Sequence, residues 1–197
     1  MNLTRRSFLA ATAATAAATP AIHGAEKARK YRTVLIGTGW WGMNILRTAV
    51  EAGQSDVVAM CDVDQNQLDK AHAEIEKMTG AAPKKYRDYR DLLKEQKPDV
   101  AIVATPDHWH PLITIAACEA GAHVYVEKPI SHTLLEGRAM VHAARAADRV
   151  VQVGTHRRVS PHNMWAIQFM KEGKLGKIGM IRAFVHSGGG PGKTTPD

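Results

Sequence analysis

Residues 37 to 42 read Gly37-Thr38-Gly39-Trp40-Trp41-Gly42, a G-x-G-x-x-G spacing directly after the apolar run Thr33-Val34-Leu35-Ile36. Glycines at this spacing between a buried strand and a helix have separate tasks: Gly37 allows the tight turn, Gly39 lets backbone approach a pyrophosphate, and Gly42 permits close helix packing. The helix opening there aims free N–H groups and the positive end of its dipole at an anion. Asp62 ends the next apolar run, twenty residues after Gly42, where an acid accepts hydrogen bonds from the adenosine ribose hydroxyls and repels a 2′-phosphate. These residues predict a dinucleotide site that favours NAD and leaves NADP open. The plainer alternative is a ligand-free turn with a helix-capping acid; strand, turn, helix and acid in register argue against it. Trp40 and Trp41 either cover the pyrophosphate or pack between domains. Core packing is the simpler expectation, and both stay among the cofactor-site candidates.

Two more segments follow apolar runs, at the carboxyl edge where ligands collect in such sheets. Thr105-Pro106-Asp107-His108-Trp109-His110 contains an H-x-H pair, but no third ligand stands at a zinc-type spacing, so no metal is expected. A polar loop beside the nicotinamide, with Thr105, Pro106 and His110 in the cofactor site, is the expected role. Glu127-Lys128-Pro129 follows the next strand, which aims Lys128 at the same crevice. A lysine there holds or deprotonates a substrate hydroxyl, and burial beside another cation would tune it toward general-base chemistry. The plain alternative is a surface lysine paired with a neighbouring acid.

Such loops need a frame, and the chain supplies one. From Arg32, short apolar runs alternate with helical patterns, the signature of βαβ units and a parallel sheet. Strands are predicted at residues 33–36, 57–61, 100–104, 123–126 and 150–153, with a short strand or turn at 84–89. Helices are predicted at 43–52, at 64–79 with Asp64 capping and Gln67 at the capping-box position, around 91–96, from Pro111 to Gly121, and at 134–147. This describes an α/β, doubly wound parallel sheet of the Rossmann type over residues 30–154. Beyond it, a helix from Ser160-Pro161 to Gly173 and a strand over Ile178 to Val185 read as the start of a truncated α/β second domain, residues 155–197.

The composition, 45% hydrophobic and 23% charged, is that of a soluble globular chain rather than a disordered or fibrous one. The formal charge of +7 comes from scattered basic residues, among them Arg5 and Arg6, Lys27 to Arg32, Lys84 to Arg90 and Lys171 to Lys177, and no basic face with interleaved aromatics emerges, so no nucleic-acid partner is expected. Cys61 and Cys118 fall at a strand end and inside an apolar helix, which suits two small buried hydrophobes better than a disulfide. Residues 1–25 differ in kind. Thr4-Arg5-Arg6-Ser7-Phe8-Leu9 leads into an Ala- and Thr-rich run that ends near Pro20, followed by His23-Gly24-Ala25. Paired arginines, an apolar run and small residues in this order resemble a twin-arginine export signal. The run falls short of the roughly 20 apolar residues a span needs, so a periplasmic destination, the twin-arginine machinery as a partner and no stable membrane anchor are expected.

Together, the Gly37 to Gly42 fingerprint, Asp62, Thr105-Pro106 with His110, Glu127-Lys128-Pro129 and Val153-Gly154-Thr155-His156-Arg157-Arg158 resemble the Gfo/Idh/MocA oxidoreductases over residues 32 to about 185. The resemblance implies a Rossmann domain followed by an α/β domain with an open sheet, acting on sugars, polyols or their derivatives with NAD or NADP. It gives Lys128 the catalytic position, with Glu127 and Pro129 as its neighbours in the cofactor crevice. It also implies an Asp and a His from the second domain, beyond the segments present, so the chain is expected to be the opening part of a longer product and its activity alone is left open. Two alternatives stand beside the dehydrogenase: an NAD-dependent glycosidase that uses transient oxidation, and an inactive nucleotide-binding module. A homo-oligomer is left open.

Overall fold

A computed structural model of the chain describes residues 29–184; the expected export signal lies outside them. The described residues divide into two compact units, the first ending at Gly154 and the second beginning at Thr155.

In the first unit six strands form one parallel sheet: β1 (Tyr31–Ile36), β2 (Ser55–Cys61), β3 (Lys84–Tyr86), β4 (Val100–Val103), β5 (His123–Glu127) and β6 (Val151–Gly154). The spatial order β3-β2-β1-β4-β5-β6 reverses direction between β1 and β4, which is the switch point where a crevice opens beyond the strand ends. Five helices connect the strands: α1 (Trp40–Glu51), α2 (Gln65–Thr79), α3 (Tyr89–Gln96), α4 (His110–Glu119) and α5 (Leu134–Ala146).

Alternate residues along each strand point to opposite faces, and the core divides accordingly. Leu35, Val57, Met60 and Ile102 meet Met43 and Leu46 of α1 and Leu68, Ala71 and Ile75 of α2. Val34, Ile36, Val103, Val124 and Val126 meet Leu92 and Leu93 of α3, Ile113 and Ala117 of α4, and Met140 of α5. Each fully buried Leu or Ile removes enough apolar surface from water for roughly 1.5–3 kcal/mol. A polar side chain at Leu35 or Ile102 would therefore break the layer it faces.

The pairing register lays the strand ends side by side. Ile36 stands opposite Cys61 on one side and Val103 on the other, so Gly37, Asp62 and Ala104 emerge together. Helix starts are set locally. Asp64 caps α2 by accepting from the N–H groups of Asn66 (2.8 Å) and Gln67 (3.4 Å), but its own N–H donates to Asp62 Oδ1 (2.9 Å). The reciprocal bond expected from Gln67 is thereby replaced. Thr133 and Glu136 form the complete capping box, at the start of α5.

The second unit, taken by itself, holds a 3-10 turn (His156–Val159) and α6 (Pro161–Lys171). Arg157's carbonyl accepts from Ser160 Oγ (2.9 Å) and Asn163 Nδ2 (2.6 Å), which ties the turn to the helix start. The strand expected from Ile178 does not form over residues 178–184. A strand satisfies its backbone groups only through a neighbour, and among the described residues none pairs with this segment. Val185 lies outside them.

Candidate functional site

The glycine fingerprint occupies the β1–α1 turn. Gly37 has φ +93°, and a Cβ there would lie 2.7 Å from the Ala104 carbonyl and the Thr105 nitrogen. Only glycine accepts both the backbone angle and the approach of the β4 loop. A Cβ on Gly42 would run into the Gly37 carbonyl oxygen and lie 3.2 Å from Ala104 Cβ. Gly39 is different in kind. Its φ of −62° suits any residue, and a Cβ would meet nothing within 4 Å. No protein contact requires glycine there, whereas a ligand lying against the α1 N-terminus would, and that fits a pyrophosphate.

Beyond the strand ends lies a cavity of about 340 Å³. Five predicted residues line it: Gly37, Gly39, Asp62, Thr105 and Pro106. Thr105 Oγ1 is one of two buried side-chain polar atoms among the described residues with no hydrogen-bond partner, as for a group that awaits a ligand. The remaining wall includes Trp109, from the loop the sequence marks after β4, and Val63, Arg87, Tyr89, Arg90 and Ile113, which the sequence pattern does not single out. Arg87 and Arg90 arrive because β3 pairs with β2, Tyr86 opposite Cys61, so the chain leaves β3 beside Asp62. Arg90 is tied to Asp88 at 2.9 Å and lies 4.8 Å from the centre of the Tyr89 ring.

Asp62 is held from three sides. Oδ2 accepts from the Thr38 backbone N–H (2.7 Å) and the Thr38 hydroxyl (2.9 Å), while Oδ1 accepts from Asp64 N–H (2.9 Å). Next to it, burial and then the Asp62 charge push the Cys61 thiol up to about 12. It stays an uncharged thiol in the cavity wall.

Glu127 and Lys128 follow β5. The Glu127 carboxylate is 4% exposed and accepts from Tyr125 Oη (3.2 Å) through Oε1 and from Lys128 N–H (3.1 Å) through Oε2. Burial, and then Glu127, push the Tyr125 phenol up to about 12. A Cβ on Gly154, which stands opposite Glu127 in the sheet, would collide with the Glu127 carboxylate. The Glu127 side chain thus grips the backbone of the lysine that follows it. Lys128 itself is exposed in this unit: it stands past the strand end, where the chain turns through a cis Lys128-Pro129 bond.

Two expectations change. Trp40 is 76% exposed rather than packed in the core, with its ring edge-on to half-buried Trp41 at 5.1 Å. As the first residue of α1, it projects beyond the strand ends that the core covers. His110 does not line the cavity. It is buried, its ring nitrogens 2.7 Å from the Pro129 carbonyl oxygen and 2.8 Å from that of Thr105; a carbonyl only accepts, so the neutral ring donates its one N–H to one of them, and both nitrogens face loop backbone. Among the described residues no three His, Cys, Asp or Glu side chains gather as a metal site, and no helix is long and apolar enough to cross a membrane.

The family model for Gfo/Idh/MocA, an oxidoreductase family with an NAD-binding Rossmann fold, matches residues 31–155. The chain belongs to the Gfo/Idh/MocA oxidoreductases. Its first unit is the NAD-binding Rossmann domain of that family, and the 3-2-1-4-5-6 sheet is the arrangement it requires. Among curated Gfo/Idh/MocA relatives, a glycosyl hydrolase family 109 protein of Stenotrophomonas maltophilia is 37% identical over 138 residues, 66% of this chain and 30% of its own. A levoglucosan dehydrogenase of Pseudarthrobacter phenanthrenivorans is 36% identical over 91 residues, 46% of this chain and 23% of its own. Among solved structures, myo-inositol 2-dehydrogenase of Lactobacillus plantarum has TM-score 0.69 at 28% identity, covering 76% of this chain and 43% of that one. The WlbA dehydrogenase of Chromobacterium violaceum, solved with NADH and UDP-GlcNAcA, has TM-score 0.65 at 28% identity, covering 77% and 42%. The chain thus spans about a third or less of the length of these and similar curated relatives it matches.

Proposed function

We propose that this chain provides the cofactor-binding part of an exported, periplasmic oxidoreductase that moves a hydride between a carbinol carbon of a sugar, polyol or derivative and NAD. The observation that carries this reading is the buried Glu127 carboxylate fixing the Lys128 backbone at the carboxyl edge of the same sheet that opens the Gly39 approach. NAD supplies the hydride acceptor when bound. The chain's own residues bind and orient it: the α1 N-terminus takes the pyrophosphate, Asp62 the adenosine ribose, and Thr105 and Pro106 line the wall between. Lys128 holds or deprotonates the substrate hydroxyl, with Glu127 placing its backbone. Trp40 and Trp41 flank the phosphate end. The dehydrogenase and the NADH-bound sugar-nucleotide complex among the structural neighbours support the substrate class.

The test is NAD reduction with a panel of inositols and pyranoses, together with NADH binding by fluorescence. Lys128→Ala leaves NADH affinity nearly intact and lowers turnover by about 10²–10⁴-fold, the usual worth of a positioned acid–base group. Unchanged turnover rules out the lysine assignment.

A second reading is favoured by the glycosyl hydrolase family 109 relatives: cleavage of a glycosidic bond by an oxidation that is reversed within the same turnover. Release of sugar without added NAD, and without net NADH, marks this activity. Export by the twin-arginine route, which Arg5 and Arg6 support, carries folded protein and suits a cofactor loaded beforehand. NAD copurifying with periplasmic protein tests it, and a homo-oligomer is checked on the same sample by light scattering.

A further inference from the structure

We infer that Thr38, through its side-chain hydroxyl, is the positioning residue that sets the Asp62 carboxylate for the adenosine ribose and thereby enforces NAD over NADP. This rests on the reading of Asp62 as the ribose-binding acid.

Thr38 is buried at 2% exposure, so its hydroxyl has no water to turn to. It donates to Asp62 Oδ2 at 2.9 Å, beside the Thr38 N–H at 2.7 Å on the same oxygen. A carboxylate offers about four lone-pair sites. Two on Oδ2 are filled by Thr38 and one on Oδ1 by Asp64 N–H. The one acceptor site left is on Oδ1, and the carboxylate plane cannot rotate without breaking a charge-assisted bond. An aspartate at a strand end otherwise has two free side-chain torsions, and a swinging carboxylate both loses ribose bonds and relieves repulsion of a 2′-phosphate. Arg87 lines the same cavity, and among the described residues its guanidinium makes no ion pair with an acid. Once Asp62 can swing away, that guanidinium offers a 2′-phosphate a planar, bidentate partner. The preference for NAD is therefore held by a neighbour of the acid as well as by the acid.

Binding of NADH and NADPH to the full chain, followed by fluorescence transfer from tryptophan to the reduced nicotinamide, tests this. Thr38→Val, isosteric but without the hydroxyl, weakens NADH about tenfold, the worth of one hydrogen bond to a charged group, and leaves NADPH unchanged or tighter. Thr38→Ser, which keeps the hydroxyl, restores the NADH affinity and the preference. Asp62→Ala loses more NADH affinity than Thr38→Val and abolishes the preference. Equal weakening of both cofactors by Thr38→Val, or no weakening of either, overturns the role of Thr38 while the Asp62→Ala result still stands. If Asp62→Ala binds both cofactors like the unmodified chain, the ribose reading fails and the inference with it. Thr38→Val then carries no preference to explain.

Discussion

The imidazole of His110 spans the carbonyl oxygens of Pro129 and Thr105, at 2.7 and 2.8 Å. It thereby joins the loop that follows β4 to the loop that carries Lys128. Two segments that the sequence separates by 19 positions are brought into contact there.

His110→Ala empties a buried site and strands the carbonyl to which the ring N–H donates, at a cost of about 2–4 kcal/mol. His110→Phe restores the bulk without the polar atoms and stays at least roughly 1 kcal/mol less stable than the unmodified chain. Urea denaturation measures both. A His110→Phe variant as stable as the original would show that the ring only fills space.

Gly39 and Gly42 separate binding from folding. Gly39→Ala meets no protein atom and leaves stability within about 0.5 kcal/mol, while NADH affinity falls on the order of tenfold, about 1.4 kcal/mol. Gly42→Ala drives a methyl into the Gly37 carbonyl and costs about 3 kcal/mol or more, as overpacking against backbone does. Melting curves read alongside NADH titrations distinguish the two.

Alkaline stability follows from the two groups that burial holds protonated. The folded state raises the Tyr125 phenol from its ordinary 10.0 to about 12 and the Cys61 thiol from 9.0 to about 12. The native state therefore binds more protons than the unfolded one between these values, so stability falls as pH rises from 9 to 12 and the contribution is complete below 9. The double variant Tyr125→Phe, Cys61→Ala shows a shallower fall in its urea midpoint over that window. An unchanged slope would count against both assignments.

Thiol chemistry gives a separate check. Cys61 and Cys118 are buried, free and pushed up by burial, and the thiolate is the reactive form. Ellman's reagent at pH 8 labels neither in the folded protein and both after denaturation. Rapid labelling of the folded chain would mean that the cavity floor at Cys61 is open to solvent.

Much of this was legible in the sequence because it is local. Periodicity marked the strands and helices of the sheet, and steric demand marked Gly37 and Gly42, whose conflicts lie within one turn and its nearest loop. Asp64 announced its cap. The placement of Asp62 and Glu127-Lys128-Pro129 at strand ends was visible too. The tertiary structure alone decided what depends on register between distant segments. The parallel pairing of β2 and β3 brings Arg87 and Arg90 to the cavity. The turn of β1 toward β2 lets Thr38 reach Asp62 across 24 positions. The approach of two loops spends His110 on carbonyls rather than on a cofactor. Trp40 shows the same limit from the other side: the pattern identifies an apolar residue at a helix start, but whether anything covers it depends on which surfaces meet. The segment from Ile178 to Phe184 has a strand's composition and no strand's geometry, because a side-chain pattern is a property of one segment and a backbone ladder is a property of two.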